Sequence, residues 1–217
     1  MIDILDIHTH HTDATHALIS TDPRDFDPQP EKWYSVGFHP WYGIDALTDD
    51  DYHLLEQCAR HPQVLAIGET GIDTLRGADL TVQADAFTRH LCLAHQLGLP
   101  VVVHNVRATQ HILTTRRNSR LDDVTLIIHG MRGNAHVAQS LLEAGCYLSY
   151  GPRFNPNALL ITPIDRLLIE TDDSDLPITT VTTRVAQAMS LPSRKSSPMP
   201  HPTPVTYSPD KIPTTFF

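Results

Sequence analysis

The chain has 217 residues, room for one large domain or two small ones, and its 41% hydrophobic content is enough for a proper core. Asp plus Glu number 25 against 16 Lys plus Arg, a formal charge of -9 that argues against general attraction to nucleic acid or anionic membranes, though not against a local patch or bound cations. No apolar stretch approaches about 20 residues and no basic segment followed by a long apolar run opens the chain, so a cytoplasmic protein with no membrane partner is expected, a monomer with an oligomer left open.

The first apolar run, Ile2, Ile4, Leu5 and Ile7, predicts a buried strand ending at Asp6-Ile7-His8-Thr9-His10. Alternate strand residues share a face, so His8 and His10 can offer two imidazoles to one point. In a chain with 14 histidines such a pair can also arise by chance. A short strand is expected over 17–20, a Pro- and Asp-rich loop over 21–32, and a strand over 34–39 that Pro40 halts. Thr48 is a plausible N-cap for a helix over 49–60 with acidic residues in its first turn. The next strand, 64–68, closes with Glu69-Thr70-Gly71-Ile72-Asp73. Thr81 is expected to cap a helix over 82–97 that Gly98 ends. Residues 99–103 form an apolar run ending at His104, followed by a helix over 109–117, and the strand over 124–128 ends at His129. Asn134 can cap a helix that stops at Gly145. A strand over 146–150, a short helix over 156–160, a strand over 167–169 ending in Glu170-Thr171-Asp172, and a helix over 179–189 complete the series. The three cysteines, Cys58, Cys92 and Cys146, are widely spaced in apolar contexts, and buried free thiols are expected.

Alternating strands and helices with continuous apolar strands predict a parallel sheet covered by helices. Eight such strands point to an α/β (β/α)8 barrel, distorted or incomplete at its first helices and at its C-terminal helix. An open doubly wound sheet is the alternative, weakened because no G-x-G-x-x-G follows the first strand. In a barrel all C-terminal strand ends converge on one face. His8, His10, Glu69, His104, His129 and Asp172 sit at such ends. Together they could hold two divalent ions, with Glu69 best placed to bridge them. Each has a plainer alternative: a hydrogen-bonded core histidine, a helix-capping Asp172, a Glu69 paired with Arg107. His39 ends a strand beside this group and could touch a substrate, and Arg107, Arg132 and Arg153 follow strands and are candidates for phosphate contacts. For Arg153 a solvated surface charge is the preferred reading. The remaining histidines read as structural or surface groups.

The segments D-I-H-T-H at 6–10, G-F-H-P at 37–40, I-G-E-T-G-I-D at 67–73, P-V-V-V-H at 100–104, I-I-H-G at 127–130 and L-L-I-E-T-D at 167–172 form an ordered set. In this set the sequence resembles the TatD family of metal-dependent hydrolases, within the wider amidohydrolase-like barrels. The resemblance implies two divalent metal ions (Zn, Mg or Mn) and DNase-like cleavage of phosphodiester bonds by a metal-activated water, on DNA or another phosphoester. By position it implies that His8, His10, Glu69 and Asp172 hold one ion, and that Glu69 bridges to a second held by His104 and His129. It also implies that Asp172 accepts the proton of the water, which makes Asp172 and Glu69 the catalytic pair. An amidohydrolase-like enzyme acting on another ester or amide bond, or a non-catalytic degenerate barrel, is the rival. The chain departs from the family at His104-Asn105-Val106-Arg107, where H-S-R is frequent, and at His129-Gly130-Met131-Arg132-Gly133, where H-C-F-S-G is frequent.

Residues 1–192 thus read as one hydrolase barrel, and 193–217 as an atypical Pro-rich tail whose prolines break any helix. Read one frame over, with permitted codon choices, 193–208 spells VEKVIADAASNTRHLF, an amphipathic helical string like the family's ending. A frameshifted ending is one reading of this tail, and a disordered or draped segment is the plainer one.

Overall fold

Eight strands follow one another around a single parallel sheet in chain order. They are β1 (Asp6–Thr9), β2 (Ala17–Thr21), β3 (Trp33–Val36), β4 (Val64–Asp73), β5 (Val101–Val106), β6 (Leu126–Ile128), β7 (Tyr147–Tyr150) and β8 (Leu167–Ile169). The structure is a computed structural model describing residues 4–190, so the expectations for 193–217 lie outside the described residues. An isolated parallel bridge between Thr9 and Asp172 brings the last strand back to the first, giving a nearly closed, distorted (β/α)8 barrel. The helices are α1 (Asp49–Ala59), α2 (Leu80–Leu97), α3 (Thr109–Asn118), α4 (Ala135–Glu143), α5 (Pro156–Ile161) and α6 (Ile178–Ser190). As expected, the first helices are missing: among the described residues only a single 3-10 turn, Pro23–Asp25, lies between β1 and β3.

The two faces of the sheet build two cores. Ile4, Ile7, Leu18, Ala66, Val102, Ile127 and Leu168 fill the barrel. Their strand neighbours Val101, Val103, Leu126 and Ile128 pack the other way, against Phe87, Leu91 and Ile112 of the helices. Local chemistry sets the helix ends. Thr48 and Asp51 form a reciprocal capping box on α1, with Thr48 N–H donating to Asp51 Oδ2 at 2.8 Å. Asn134 Oδ1 accepts from Val137 N–H at 3.1 Å at the start of α4. Gly98 ends α2 in the left-handed region, φ 67°. The start of α2 differs from the Thr81 cap: Gln83 N–H bonds to Asp79 O at 3.0 Å, adding two residues to the helix.

Three further expectations change. β4 does not stop at Gly68 but runs on through Glu69 to Asp73. It can do so because its glycines let it press against β5: at Gly68 (φ 129°) and Gly71 (φ 150°) a Cβ would overlap the carbonyl oxygens of Val102 and His104. β3 ends at Val36, so His39 stands in the following loop rather than on the strand. Cys58 and Cys146 are buried as expected, but Cys92 is exposed, because it lies on the outer face of α2, opposite Phe87 and Ala94. No helix among the described residues is long and apolar enough to cross a membrane.

Candidate metal centre

The C-terminal halves of five strands, or the residues just past them, deliver their polar side chains to one pocket. His8 and His10, two apart across the end of β1, have ring centroids 5.0 Å apart. Glu69 lies between them and the histidines of β5 and β6, almost fully buried. Its Oε2 is 3.3 Å from both His8 Nε2 and His10 Nε2. Its Oε1 is 2.6 Å from His104 Nδ1, 2.7 Å from His129 Nε2 and 3.0 Å from His39 Nε2. One carboxylate therefore divides its two oxygens between two groups of imidazoles. Asp172 completes the first group, with Oδ1 3.8 and 3.7 Å from His8 and His10 Nε2. It is held in the left-handed region (φ 58°) by two backbone bonds to β1 and its end, Asp172 N–H to His8 O at 3.0 Å and His10 N–H to Asp172 O at 3.1 Å.

Ligand-capable atoms converge in four overlapping groups: His8–His10–Asp172, His8–Glu69–His129, His39–Glu69–His104 and His129–Glu170–Asp172. Both ring nitrogens of His8, Nδ1 of His129, and Oε2 of Glu69 and of Glu170 are buried without a hydrogen-bond partner. Leaving buried polar atoms unsatisfied costs roughly 1–3 kcal/mol each, and a cation would relieve it. The donor set, all imidazole and carboxylate, fits divalent ions.

The charges are strongly coupled. Burial alone would raise the Glu69 carboxyl, yet the charges of His129 and His8 and the close imidazoles of His10 and His104 hold it well below the usual range. Burial would depress His129, but Glu69 and Glu170 push it well above an ordinary histidine. The Glu69 carboxylate close by raises His10, whereas burial lowers His39. A cation held by these imidazoles binds their neutral form, so its binding competes with protons.

All six strand-end candidates, His8, His10, Glu69, His104, His129 and Asp172, meet in this pocket. His39 comes as near to Glu69 as the ligand candidates do. Arg132 reaches it, with Nη2 3.4 Å from Asp172 Oδ2. Arg107 stands exposed past β5 with φ 51°, and Arg153 pairs with Asp173 at 2.9 Å. Glu69 pairs with histidines rather than with Arg107.

Three supporting residues are not singled out by the sequence pattern. Glu170 Oε1 accepts from Gly130 N–H at 2.6 Å and faces His129 Nδ1 at 3.6 Å. Asp73 Oδ2 lies 3.4 Å from His104 Nε2 and accepts from the Trp41 indole at 2.7 Å. Asp6 receives the Thr171 N–H and hydroxyl at 3.0 and 2.6 Å, locking β1 to the segment carrying Asp172. Burial pushes its carboxyl up to about 7. Asp6, Asp73 and Glu170 all lie inside the motifs quoted above, and that proximity to a ligand was the available signal.

The family model described as TatD related DNase matches residues 6–192. The metal-dependent hydrolase YabD of Bacillus subtilis is 34% identical over 146 residues, 64% of this chain and 57% of the relative. The metal-dependent hydrolase TatD of Mycobacterium tuberculosis is 36% identical over 151 residues, 64% of this chain and 56% of the relative. The 3'-5' ssDNA/RNA exonuclease TatD of Erwinia tasmaniensis is 32% identical over 155 residues, covering 64% and 57%. The matched part thus spans little more than half the length of these relatives. The crystal structure of the TatD homologue YjjV of Escherichia coli superposes with a TM-score of 0.71 at 20% identity, covering 87% of this chain and 90% of that one, a likeness of fold.

Proposed function

Because this chain belongs to the TatD-related DNase family of metal-dependent hydrolases, we propose that it hydrolyses phosphodiester bonds, on DNA or a related phosphoester, with two divalent ions. The observation that carries this reading is the division of Glu69: Oε2 toward His8 and His10, Oε1 toward His104 and His129. His8, His10, Glu69 and Asp172 would hold one ion; Glu69, His104 and His129 the other. Nitrogen-rich ligation suits zinc, and the carboxylates admit manganese or magnesium. Such a pair, when bound, supplies a nucleophilic water at neutral pH and neutralises phosphoryl oxygens.

The chain's own groups do the rest. Asp172 is pinned by its backbone bonds, so its carboxylate can accept the proton of the attacking water from a fixed direction. Arg132, beside Asp172 and half exposed, orients a phosphoryl oxygen and offsets the acidic surroundings. His39 faces the second group and is placed to touch the scissile phosphate. The Erwinia tasmaniensis relative, described as acting on single-stranded DNA and RNA, supports a nucleic-acid substrate.

The test is metal analysis of the purified protein together with assays of diester, carboxyl ester and lactone substrates. About two ions per chain and metal-dependent diester cleavage are expected, with Glu69→Ala and His129→Ala each losing at least about a hundredfold. Cleavage of esters or lactones but not diesters, or unchanged diesterase activity in both variants, would overturn it.

A further inference from the structure

The His104 ring is held at both of its nitrogens. Nδ1 faces Glu69 Oε1 at 2.6 Å, and Nε2 faces Asp73 Oδ2 at 3.4 Å. Glu69 and Asp73 both belong to the last turn-ward half of β4, and Gly71 between them pairs with His104 in the ladder to β5. The imidazole therefore spans two carboxylates of one strand. Neighbouring rings wall it in: the Trp41 ring lies 5.2 Å away at 78° and the His39 ring 4.5 Å away at 70°.

Asp73 is buried and fixed from several sides. The buried Gln83 side chain, reaching over from α2, clamps its backbone: Asp73 N–H donates to Gln83 Oε1 at 2.7 Å, and the Gln83 amide donates to Asp73 O at 3.1 Å. The carboxylate receives the Leu75 N–H on Oδ1 at 2.8 Å and the Trp41 indole N–H on Oδ2 at 2.7 Å. An ionised carboxylate only accepts hydrogen bonds. A ring nitrogen that bonds to Oδ2 must therefore carry a proton, and in a neutral imidazole that leaves the lone pair on the other nitrogen. Here the other nitrogen is Nδ1, turned toward Glu69 and 3.4 Å from His129 Nε2, the place of the second ion. His8, His10 and Asp172 take their support elsewhere, from the backbone bonds that join β1 to the segment after β8.

Resting on the two-ion reading, we propose that Asp73 is the positioning residue for the second ion alone: by accepting from His104 Nε2 it holds the tautomer and ring direction that present Nδ1 to that ion. Asparagine at this position has the same shape and the opposite effect. Its amide N–H groups must face either the Leu75 N–H or the Trp41 and His104 N–H groups. The conflict with His104 is relieved by the other tautomer, with Nε2 accepting from the amide and the proton on Nδ1, where it blocks the ion. A purely structural role, pinning the loop after β3 through Trp41, would instead depend on the indole N–H.

The experiment titrates zinc into the full chain against a competing chelator, for the parent, Asp73→Asn and Trp41→Phe. In Asp73→Asn one ion should weaken by roughly ten- to a hundredfold while the other keeps its affinity. The ion that remains should be the one that a further His10→Ala substitution weakens. Trp41→Phe, which removes the indole donor and leaves the carboxylate, should bind both ions as the parent does. Unchanged binding in Asp73→Asn, equal weakening of both ions, or the same loss in Trp41→Phe would overturn the proposal. If the parent takes fewer than two ions, the two-ion reading fails separately. The role of Asp73 is then read from long-range 1H–15N spectra of the metal-free protein in chelator. A proton on His104 Nε2 in the parent and on Nδ1 alone in Asp73→Asn supports it, and the same protonated nitrogens in both proteins overturn it. Should Asp73→Asn not fold, the parent spectrum decides by itself: a proton on His104 Nε2 supports the proposal and a bare Nε2 overturns it.

Discussion

Glu170 acts on the centre through a neighbour. Its carboxylate receives the Gly130 N–H and closes on Nδ1 of His129, the ring whose Nε2 faces Glu69. A carboxylate behind a ligand histidine fixes its ring orientation and raises its basicity. Glu170→Ala should therefore weaken metal binding by roughly ten- to a hundredfold while Glu170→Gln recovers part of it, as measured by competitive chelator titration. His90 poses a different problem. It is fully buried, Nδ1 bonds to Ala86 O at 2.7 Å, and Nε2 accepts the Phe38 N–H at 2.9 Å, which requires the neutral ring. Burial depresses it from 6.5 to about 4. Between those values the unfolded chain takes up a proton that the native state refuses, so stability falls as pH falls from about 6.5 toward 4, by up to roughly 3 kcal/mol from this group. His90→Gln keeps one acceptor and one donor but cannot titrate. Denaturant unfolding at pH 7 and pH 4.5 should show a smaller acid loss in the variant than in the parent. At this scale the convergence of the six residues was legible because each stands at or near the end of an apolar run. Glu170, Asp73 and His90 were not, because their roles depend on which backbone amide or ring lies beside them across the sheet, and spacing along the chain does not encode that.

Among the elements, β4 shows most clearly what sequence patterns miss. Its hydrophobic run ends near Gly68, so the pattern stops the strand there, while the hydrogen-bonded ladder to β5 continues through Gly71–His104 to Asp73–Val106. The continuation places Glu69 inside the strand opposite the His104 neighbourhood, and it depends on residues without a Cβ. Gly71→Ala would drive a methyl into the His104 carbonyl at a backbone angle hostile to side chains, and should cost more than about 2 kcal/mol while displacing His104. Thermal unfolding and the stoichiometry of the second ion are the two measurements. Losing stability with both ions still bound would mean that His104 tolerates the shift. The helices were easier to read, since caps such as Thr48 and Asn134 act within three residues of themselves. The exception, the start of α2, was decided by a single Gln83–Asp79 backbone bond that a plausible Thr81 concealed.

For the whole molecule, the decisive contact is the one joining its ends. Thr9 and Asp172 bridge β1 to the segment after β8, Asp6 and Thr171 seal the layer beneath, and His8, His10 and Asp172 cluster above. Metal bound here would add a tie between ends already joined by the Thr9–Asp172 bridge and the Asp6–Thr171 hydrogen bonds. An ion present at a hundred times its Kd adds about 2.7 kcal/mol, which for a chain of this length is roughly 5–10 °C in Tm. Stripping the protein with chelator should lower Tm by at least that much, and restoring zinc or manganese should recover it, as followed by differential scanning fluorimetry. The barrel itself was legible from the rhythm of apolar runs and helices. The ending 193–217 is a matter for the coding sequence, because codons that do not spell the helical string in the neighbouring frame end the frameshift reading. The seam has a further consequence during synthesis. His8 and His10 leave the ribosome first, and the carboxylate that completes their group follows 162 residues after His10, roughly ten to thirty seconds later at ordinary elongation rates. Until then the nascent chain displays a pair of imidazoles with no partner from the segment after β8, so on the proposed ligand set the first ion would be fully held only after that segment is made and the barrel closes.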